Sequence, residues 1–256
     1  MMADTLRNKP IHFWQQNVNK SLTAQLDLLN HADPKNFDFI FIQEPHIDFL
    51  KLTRANHHWT VVYPSSHLSK PETSRSITLV NLKMSKNRWK QIQIPSNDVT
   101  AVEVTCDLGT ISFYNIYNAC EHSDTLILLQ NFWDQRRQMG DTSEKIWLGD
   151  FNRHHPLWDD PNNTHLFTAA NLDSTALLVN LLGVHSMEMA LPAGTPTIET
   201  FCNGSFSRPN NVFCSHSLSP RFIKCDTKPE HKPARTDHFP IVGAIDHQPE
   251  RSDQQP

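Results

Sequence analysis

The first indication of chemistry in this sequence is a polar turn at the end of an apolar run that begins at Ile146. Gly149 allows the backbone to turn where the predicted strand stops, and it precedes a carboxylate and an amide two residues apart, Asp150 and Asn152. Side chains two positions apart on a strand end project to the same side, so this pair could activate a water and hold a phosphate oxygen. Taken alone, the motif is more typical of an ordinary polar turn.

Polar groups of the same kind end other predicted strands or lie in the adjoining loops. They are Asn17 with Asn19, Glu44, Tyr117, and Asp237 with His238. Glu44 follows a nearly continuous apolar strand, and a buried carboxylate needs a partner because an unpaired buried charge is very unfavourable. That partner is either a metal ion or a nearby Lys or Arg. Since strand ends from different parts of one sheet core can meet at one edge, these groups could form a single site.

The combined set suits phosphodiester hydrolysis. Glu44 and Asp237 offer hard oxygen ligands to Mg²⁺, which keeps several water ligands and needs only one or two carboxylates. Asp150, oriented by Asn17 or Asn152, could position and deprotonate a water molecule.

His238 and Tyr117 could stabilise the charge that develops on the phosphate oxygens by hydrogen bonding. Each candidate also has an ordinary explanation. Glu44 could be salt-bridged, Tyr117 could be a core residue with a satisfied hydroxyl, and Asp237 with His238 could form a surface turn. The order of all these groups along one chain favours the site.

The elements that must position these groups are strands that alternate with a few helices. Apolar or alternating segments predict strands at residues 11–19, 37–42, 59–63, 76–82, 89–94, 101–106 and 110–117, with short final strands at 195–197, 205–206 and 212–214. Helices are predicted from Ser21 to before Pro34, at about 123–138 with Ser123 as a cap, and at about 166–182 with Gly183 as the end. Several strand pairs are joined by loops too short for crossover helices, which predicts an α/β sandwich with mixed or antiparallel sheets.

Composition restricts the function classes. A net charge of −4 over 256 residues argues against a protein that coats nucleic acid, but it allows an enzyme that meets a phosphate backbone in one groove. Five scattered cysteines without a CxxC pair indicate reduced thiols in an intracellular protein and not a zinc site. We expect no signal peptide, no membrane partner, and a monomer in the nucleus or cytoplasm.

One domain at residues 10–246 is the simplest organisation. It leaves an N-terminal extension at residues 1–9 and a polar, Pro- and Gln-rich tail at residues 247–256, which is expected to be disordered.

The polar motifs, taken in their order, resemble those of the endonuclease/exonuclease/phosphatase superfamily over roughly residues 10–246. They are Asn17-Val18-Asn19, Gln43-Glu44-Pro45, Tyr117, Gly149-Asp150-Phe151-Asn152 and Thr236-Asp237-His238. Within the superfamily the chain looks most like the apurinic-type endonuclease domain of non-LTR retrotransposons. The motifs similar to that branch are Gln43-Glu44-Pro45, Tyr117-Asn118, His154-His155-Pro156-Leu157-Trp158 and Asp237-His238-Phe239-Pro240-Ile241.

The resemblance implies a DNase I-like, four-layer α/β sandwich, in which two facing mixed or antiparallel sheets are flanked by helices. It also implies in-line hydrolysis of DNA that leaves a 3′-hydroxyl and a 5′-phosphate, with Mg²⁺, or Mn²⁺ in its place, as the cofactor. By the family pattern, Glu44 and Asp237 would hold the metal, and Asp150 would activate the water. Asn152 and Asn17 would position the water and the phosphate, and Tyr117 and His238 would stabilise the transition state. The residues that would bind substrate are Asn19, Asn118, His154 and His155.

Two positions depart from the family pattern. Asn210 stands where relatives usually have the aspartate that orients the catalytic histidine. An amide can orient the imidazole of His238, but it cannot stabilise the imidazolium by charge, so reduced activity is expected. Asn19 stands where DNA-repair relatives often carry an aspartate near the metal, which removes a charge and is expected to loosen Mg²⁺ binding.

Three function hypotheses follow. The first is a Mg²⁺-dependent, DNA-nicking endonuclease derived from a mobile element, as a truncated or stand-alone copy without the reverse transcriptase domain that such elements usually carry downstream. The second is a weakened or inactive remnant that binds nucleic acid, which Asn210 and the negative net charge favour. The third is a phosphodiesterase of the same fold that acts on a small molecule or lipid.

Overall fold

The computed structural model of this protein describes residues 9–201 and 204–248. Within them the strands are β1 (Ile11–Asn17), β2 (Phe39–Gln43), β3 (Trp59–Val62), β4 (Ser76–Asn81), β5 (Trp89–Ile92), β6 (Val99–Cys106), β7 (Gly109–Tyr117), β8 (Glu144–Asp150), β9 (Met187–Met189), β10 (Ile198–Glu199), β11 (Phe206–Ser207), β12 (Asn210–Ser215), β13 (Phe222–Thr227) and β14 (Ile241–Ile245). The α-helices are α1 (Leu22–His31), α2 (Asp124–Gln138) and α3 (Ala169–Val184).

Two six-stranded sheets carry most of the fold. The first sheet has the order β13-β14-β1-β2-β4-β3, and the second has the order β5-β6-β7-β8-β12-β9. Each sheet contains one parallel pair, β1 with β2 and β7 with β8, and the remaining pairs are antiparallel. A parallel pair needs a long crossover, and α1 and α2 supply these two connections. The strands β10 and β11 form a separate two-stranded ribbon.

The two large sheets pack face to face around an apolar core. Phe13 and Phe41 of the first sheet meet Phe113 of the second, with ring centroids 6.4 Å apart for Phe13–Phe113 and 5.5 Å for Phe41–Phe113. Strand residues buried on both faces explain the nearly continuous apolar runs in the sequence. The predicted sandwich of two facing sheets is therefore confirmed.

Helices cover the outer face of each sheet. Leu28 of α1 packs on the first sheet in a cluster with Trp14 and Ile40. On the second sheet, Trp133 of α2 stacks on Trp147 of β8 with centroids 3.8 Å apart, and α3 adds buried leucines to the same cluster. The order helix, sheet, sheet, helices gives the four layers that were predicted.

Local signals in the sequence identified some helix ends and misplaced others. Ser21 caps α1 as predicted, because its side chain accepts a hydrogen bond from the Ala24 N–H at 3.2 Å. Ser123 precedes α2 but makes no capping bond; its hydroxyl accepts from Arg153 at 3.0 Å instead. Gly183 does not end α3, which continues to Val184 and is capped at its start by Thr168.

Three short or late strands, β9, β13 and β14, were not predicted, and the strand predicted at 195–197 was misplaced, since β10 begins at Ile198. β9 and β13 are edge strands of their sheets. Their residues form strands because a neighbouring strand supplies hydrogen-bond partners, and local periodicity in the sequence does not reveal that neighbour.

The packed domain extends beyond the expected limits, to Lys9 at one end and to Gln248 at the other. The His247 ring is buried and its Nε2 lies 2.8 Å from the carbonyl oxygen of Lys9, so His247 belongs to the domain and not to a disordered tail. The Gln248 carbonyl also accepts from Arg221 Nη1 at 3.0 Å, and residues 1–8 and 249–256 lie outside the described residues.

The structure describes four of the five cysteines and three α-helices. Cys106, Cys120, Cys214 and Cys225 are free thiols. Cys202 lies outside the described residues. Within the described ranges, no helix has the length and apolar character required to cross a membrane.

Gly149 allows the central strands of the second sheet to approach closely. Its φ is +138°, which L side chains rarely adopt, and a Cβ there would lie 1.9 Å from the carbonyl oxygen of Ile116 in β7. Only glycine fits at this position next to Asp150.

We predict that Gly149→Ala lowers the free energy of unfolding by about 3 kcal/mol or more, because backbone atoms must move apart. The measurement is equilibrium urea unfolding. Gly183→Ala is the matched control, since its added Cβ meets nothing within 4 Å. As a helical alanine it should leave stability unchanged or raise it by up to about 1 kcal/mol. Equal effects of the two substitutions would contradict this account.

Candidate active site

The carboxyl ends of the two parallel pairs form one polar edge. In the first sheet Asn17 lies beside Gln43, and Glu44 follows directly. In the second sheet Tyr117 lies beside Asp150. The Asn17 side-chain amide donates to Asp150 Oδ2 at 2.8 Å, so the ends of the two sheets meet. The structure thus brings together residues that the sequence only suggested could converge.

Asp150 is a buried carboxylate with fixed orientation. It is 1% exposed and accepts hydrogen bonds from the Asn17 amide at 2.8 Å and from the Asn152 N–H at 3.2 Å. Asn17 is itself held, since its Oδ1 accepts from the Asn19 N–H at 2.8 Å and its carbonyl accepts from the Thr236 hydroxyl at 3.0 Å. Hydrogen bonds of this kind hold a buried carboxylate in one orientation.

The imidazole of His238 faces Asp150. Its Nε2 lies 3.9 Å from Asp150 Oδ2 and 3.6 Å from Asp237 Oδ1. Its Nδ1 lies 2.7 Å from Asn210 Oδ1, and Asn210 pairs directly with Asp150 across β12 and β8. Asn210 is fully buried and its Nδ2 has no hydrogen-bond partner. The Asn210 amide therefore holds Nδ1 of this histidine and leaves one buried donor unsatisfied.

Glu44 and Asp237, the predicted metal ligands, have different neighbours. Glu44 has φ +46° and a side chain that is 14% exposed, with Lys20 Nζ 4.0 Å from its carboxylate. Asp237 contacts His238, and its backbone carbonyl accepts from Glu199 at 3.0 Å. Left-handed backbone in a non-glycine residue is costly and is often found at functional sites.

The donor chemistry of these two residues fits a hydrated divalent ion. Hard carboxylate oxygens with open space for water suit Mg²⁺ or Mn²⁺, which need few protein ligands. Across residues 9–201 and 204–248, no three His, Cys, Asp or Glu side chains form a group that could enclose a metal ion. The role of Glu44 and Asp237 as metal ligands stays a prediction.

Tyr117 lies between Glu44 and a cation. The Arg75 guanidinium lies over its ring, 4.6 Å from the centroid, and the Glu44 carboxylate is near the Tyr117 hydroxyl. Burial raises the pKa of Tyr117, and the negative charges of Glu44 and Asp150 raise it further. Tyr117 thus remains a hydrogen-bond donor at any physiological pH.

The residues predicted to bind substrate are partly engaged in the scaffold. Asn118 is buried and donates to the Phe151 carbonyl at 2.9 Å. Asn152, with φ +50°, donates to the Asn118 carbonyl at 2.8 Å. Asn19 is exposed beside Asn17, where its backbone N–H holds the Asn17 side chain. A substrate role for these amides stays a prediction.

His154 and His155 belong to a loop organised by one buried carboxylate. His154 Nδ1 lies 3.3 Å from Asp159, and the His155 N–H donates to the same carboxylate at 3.0 Å. The Arg208 N–H also donates to Asp159 at 3.0 Å. These contacts give the two histidines a structural function, and their predicted substrate binding stays untested.

Sequence reasoning overlooked two buried arginines. Arg153 donates to the carbonyl oxygens of Ala119 at 3.1 Å and His122 at 2.8 Å, and so ties the loop after Tyr117 to the end of β8. Burial lowers the pKa of its guanidinium. Arg208 donates to the carbonyl of Leu191 at 2.8 Å, and burial lowers its pKa to about 10. The only signal in the sequence was the position of each arginine beside a candidate motif.

Comparison with known proteins supports the fold assigned here. The endonuclease domain of TRAS1, a telomere-specific non-LTR retrotransposon, is 19% identical with a TM-score of 0.69 and covers 94% of this chain and 100% of that domain. The AP endonuclease LMAP from Leishmania major is 12% identical with a TM-score of 0.69, and the match covers 93% of this chain and 88% of that one. The catalytic domain of Xenopus laevis APE2 is 15% identical with a TM-score of 0.66, covering 94% of both chains. A comparison with curated protein sequences gave no significant match.

The two facing mixed sheets and the polar edge define a protein of the endonuclease/exonuclease/phosphatase superfamily, with a DNase I-like nuclease or phosphodiesterase fold. Residues 111–242 match the profile described as endonuclease-reverse transcriptase, and the chain belongs to that family, whose endonucleases are of the retrotransposon type.

The environment of the tyrosines gives a pH prediction. Tyr63, Tyr114 and Tyr117 are all the tyrosines of the chain, and burial raises the pKa of each. At the pH where unfolded tyrosines ionise, about 10, we expect less tyrosinate absorbance from the folded protein than from the unfolded chain. The folded state holds these protons more tightly than the unfolded state, so stability falls as pH rises above about 10.

The measurement is a spectrophotometric alkaline titration with circular dichroism followed in parallel. The same titration in denaturing urea is the control, and there all three tyrosines should ionise near the ordinary pKa. A tyrosine that ionises normally while the fold is intact would contradict the burial described here.

Proposed function

We propose that this protein is a divalent-metal-dependent endonuclease that nicks DNA and leaves 3′-hydroxyl and 5′-phosphate ends. The observation that carries the proposal is the convergence of Asp150, Asn17 and His238, which joins a fixed carboxylate, an amide and an oriented imidazole at the meeting edge of the sheets. DNA-processing enzymes among the structural neighbours support DNA as the substrate. We further propose that the protein works as a monomer in the nucleus or cytoplasm.

In this mechanism Asp150 takes the proton of the attacking water. Its carboxylate is held by Asn17 and by the Asn152 N–H, so one oxygen can receive the proton without reorientation. The water oxygen bonds to phosphorus, and the bond from phosphorus to the 3′ oxygen breaks. The 3′ oxygen gains a proton from solvent and becomes the hydroxyl end.

Tyr117 and His238 stabilise the charge of the transition state. Tyr117 donates its hydroxyl proton in a hydrogen bond, because its raised pKa keeps that proton in place. His238 presents Nε2 to the site while Asn210 holds Nδ1.

Glu44, with Asp237 near it, would hold the divalent ion, Mg²⁺ or Mn²⁺. When bound, that ion supplies positive charge that offsets the charge of the phosphate and of the departing oxygen. Asn19 adds no charge beside this position, and we expect metal binding to be correspondingly weak.

We predict that Asp150→Asn lowers the nicking rate of supercoiled plasmid by about 100- to 10,000-fold, because the amide cannot accept the proton of water. Appearance of open circles with Mg²⁺ and with added chelator is measured by gel electrophoresis, and end-labelling identifies the termini. Asp173→Asn, an exposed aspartate of α3, is the matched control and should nick like the unmodified protein. Plasmid that stays intact at high protein concentration with Mg²⁺ or Mn²⁺ argues against the proposal.

We predict that Asn210→Asp raises the turnover number by about ten-fold, because a carboxylate stabilises the imidazolium of His238 and removes the unsatisfied Nδ2 donor. The turnover number and KM are measured on the same plasmid. Asn211→Asp is a neighbouring control, since Asn211 accepts from Arg208 at 2.9 Å and, as the next residue of β12, faces the opposite side of the sheet from Asn210. If Asn210→Asp does not raise the turnover number, the role given to this position is wrong.

The second candidate function is a weakened nucleic-acid-binding relative of the same fold. The unsatisfied amide of Asn210 favours it, since the position that orients His238 lacks a charge. DNA binding without cleavage, in a gel-shift assay of the protein with Mg²⁺, separates this candidate from the nuclease.

A further inference from the structure

Arg75 is a half-buried cation at the edge of the site to which no family motif assigns a role. It precedes β4 of the first sheet, and its side chain is 28% exposed. Its Nε and Nη2 donate to the two carboxylate oxygens of Asp98 at 2.8 and 3.2 Å. Two parallel hydrogen bonds fix the plane of the guanidinium, and lysine cannot reproduce that geometry.

The main chain of the same two residues holds the site. The Glu44 N–H donates to the Arg75 carbonyl at 2.9 Å, and the Tyr117 N–H donates to the Asp98 carbonyl at 2.8 Å. The Arg75 N–H in turn donates to the Asn97 carbonyl at 2.8 Å. Because Asp98 immediately precedes β6 of the second sheet, the ion pair joins the two sheets beside Glu44 and Tyr117.

The guanidinium also balances local charge. The Tyr117 hydroxyl is close to two carboxylates, Glu44 and Asp150, whose charges oppose its ionisation and attract its proton. Arg75, 4.6 Å from the Tyr117 ring centroid, adds the opposing positive charge and a cation–π contact. Asp98 carries a further hydrogen bond from Thr125 at 3.2 Å, which ties the pair to α2.

We propose that Arg75, locked by Asp98, is a positioning residue that fixes the Tyr117 ring so that its hydroxyl points toward the phosphate site. This inference deepens the proposed function and rests on it for the kinetic prediction. Arg75 acts through Tyr117 and does not touch the reacting atoms.

The kinetic test compares Arg75→Met, Tyr117→Phe and the double variant on supercoiled plasmid. Arg75→Met should lower kcat by about ten-fold and change KM by less than about three-fold, because positioning acts on the transition state. In the Tyr117→Phe background, adding Arg75→Met should lower kcat by a further factor of less than about two, since the hydroxyl that Arg75 orients is gone. Arg75→Lys should have a kcat between that of Arg75→Met and that of the unmodified protein. The proposal is overturned if the effects of Arg75→Met and Tyr117→Phe on kcat are fully additive in the double variant, or if Arg75→Met changes KM alone.

A second readout does not require activity. Protein with isotope-labelled tyrosine has three ring environments to follow by NMR, and Tyr117→Phe identifies the signal of Tyr117. Arg75→Met should move that signal and leave those of Tyr63 and Tyr114 in place. Arg137→Met is the matched control, because Arg137 is an exposed arginine of α2 paired with Asp134 at 2.9 Å, and it should move none.

The two readouts separate this proposal from the proposed function. An unchanged Tyr117 signal in Arg75→Met overturns the positioning role, whether or not the protein cuts DNA. A Tyr117 signal that shifts in Arg75→Met, and shifts less in the conservative Arg75→Lys, supports the contact between Arg75 and Tyr117. This holds even if the unmodified protein does not nick plasmid. Failure to nick plasmid would count only against the proposed nuclease function. Circular dichroism of each variant identifies one that does not fold, and Arg75→Lys then carries the NMR test.

Discussion

The hydrogen bond between Asn17 and Asp150 is the contact on which the site depends. It connects the end of β1 in one sheet to the end of β8 in the other, across 133 positions of sequence. A buried carboxylate is stable in that position only if neighbours satisfy it, so the two sheets must pack with these strand ends aligned. The close approach at Gly149 and the turn at Asn152 serve the same alignment.

Below that edge a buried polar layer keeps the sheets in register. Gln43 of β2 donates to Asn115 of β7, and the Asn115 amide donates to the Ile77 carbonyl at 2.7 Å. The Ser76 hydroxyl donates to the Asn115 carbonyl at 2.9 Å. Apolar side chains could pack in several registers, whereas a buried hydrogen-bond network is satisfied in few, so the layer specifies how the sandwich closes. The site therefore lies on a rigid support.

Charge at the site is balanced by groups of different origin. The carboxylates of Asp150, Glu44 and Asp237 could be identified from sequence motifs. Neither a motif nor the composition indicated Arg75, which Asp98 holds in place. Asn210 stays neutral where a carboxylate could face His238. The net charge of −4 for the whole chain says little about this arrangement, since local fields decide protonation and substrate approach.

The sequence by itself determined the fold class, most strand positions and the candidate side chains at strand ends. Apolar periodicity reports whether a segment is buried, and turn residues report where it stops, so Glu44, Tyr117 and Asp150 could be placed at strand ends from local information. Only the tertiary structure decided which of these ends meet, that Asp159 engages His154 and His155, and that Arg153 and Arg208 are buried among carbonyl oxygens. The physical reason is that a hydrogen bond between distant residues depends on how the sheets pack, and packing is a property of the whole chain that no local pattern encodes.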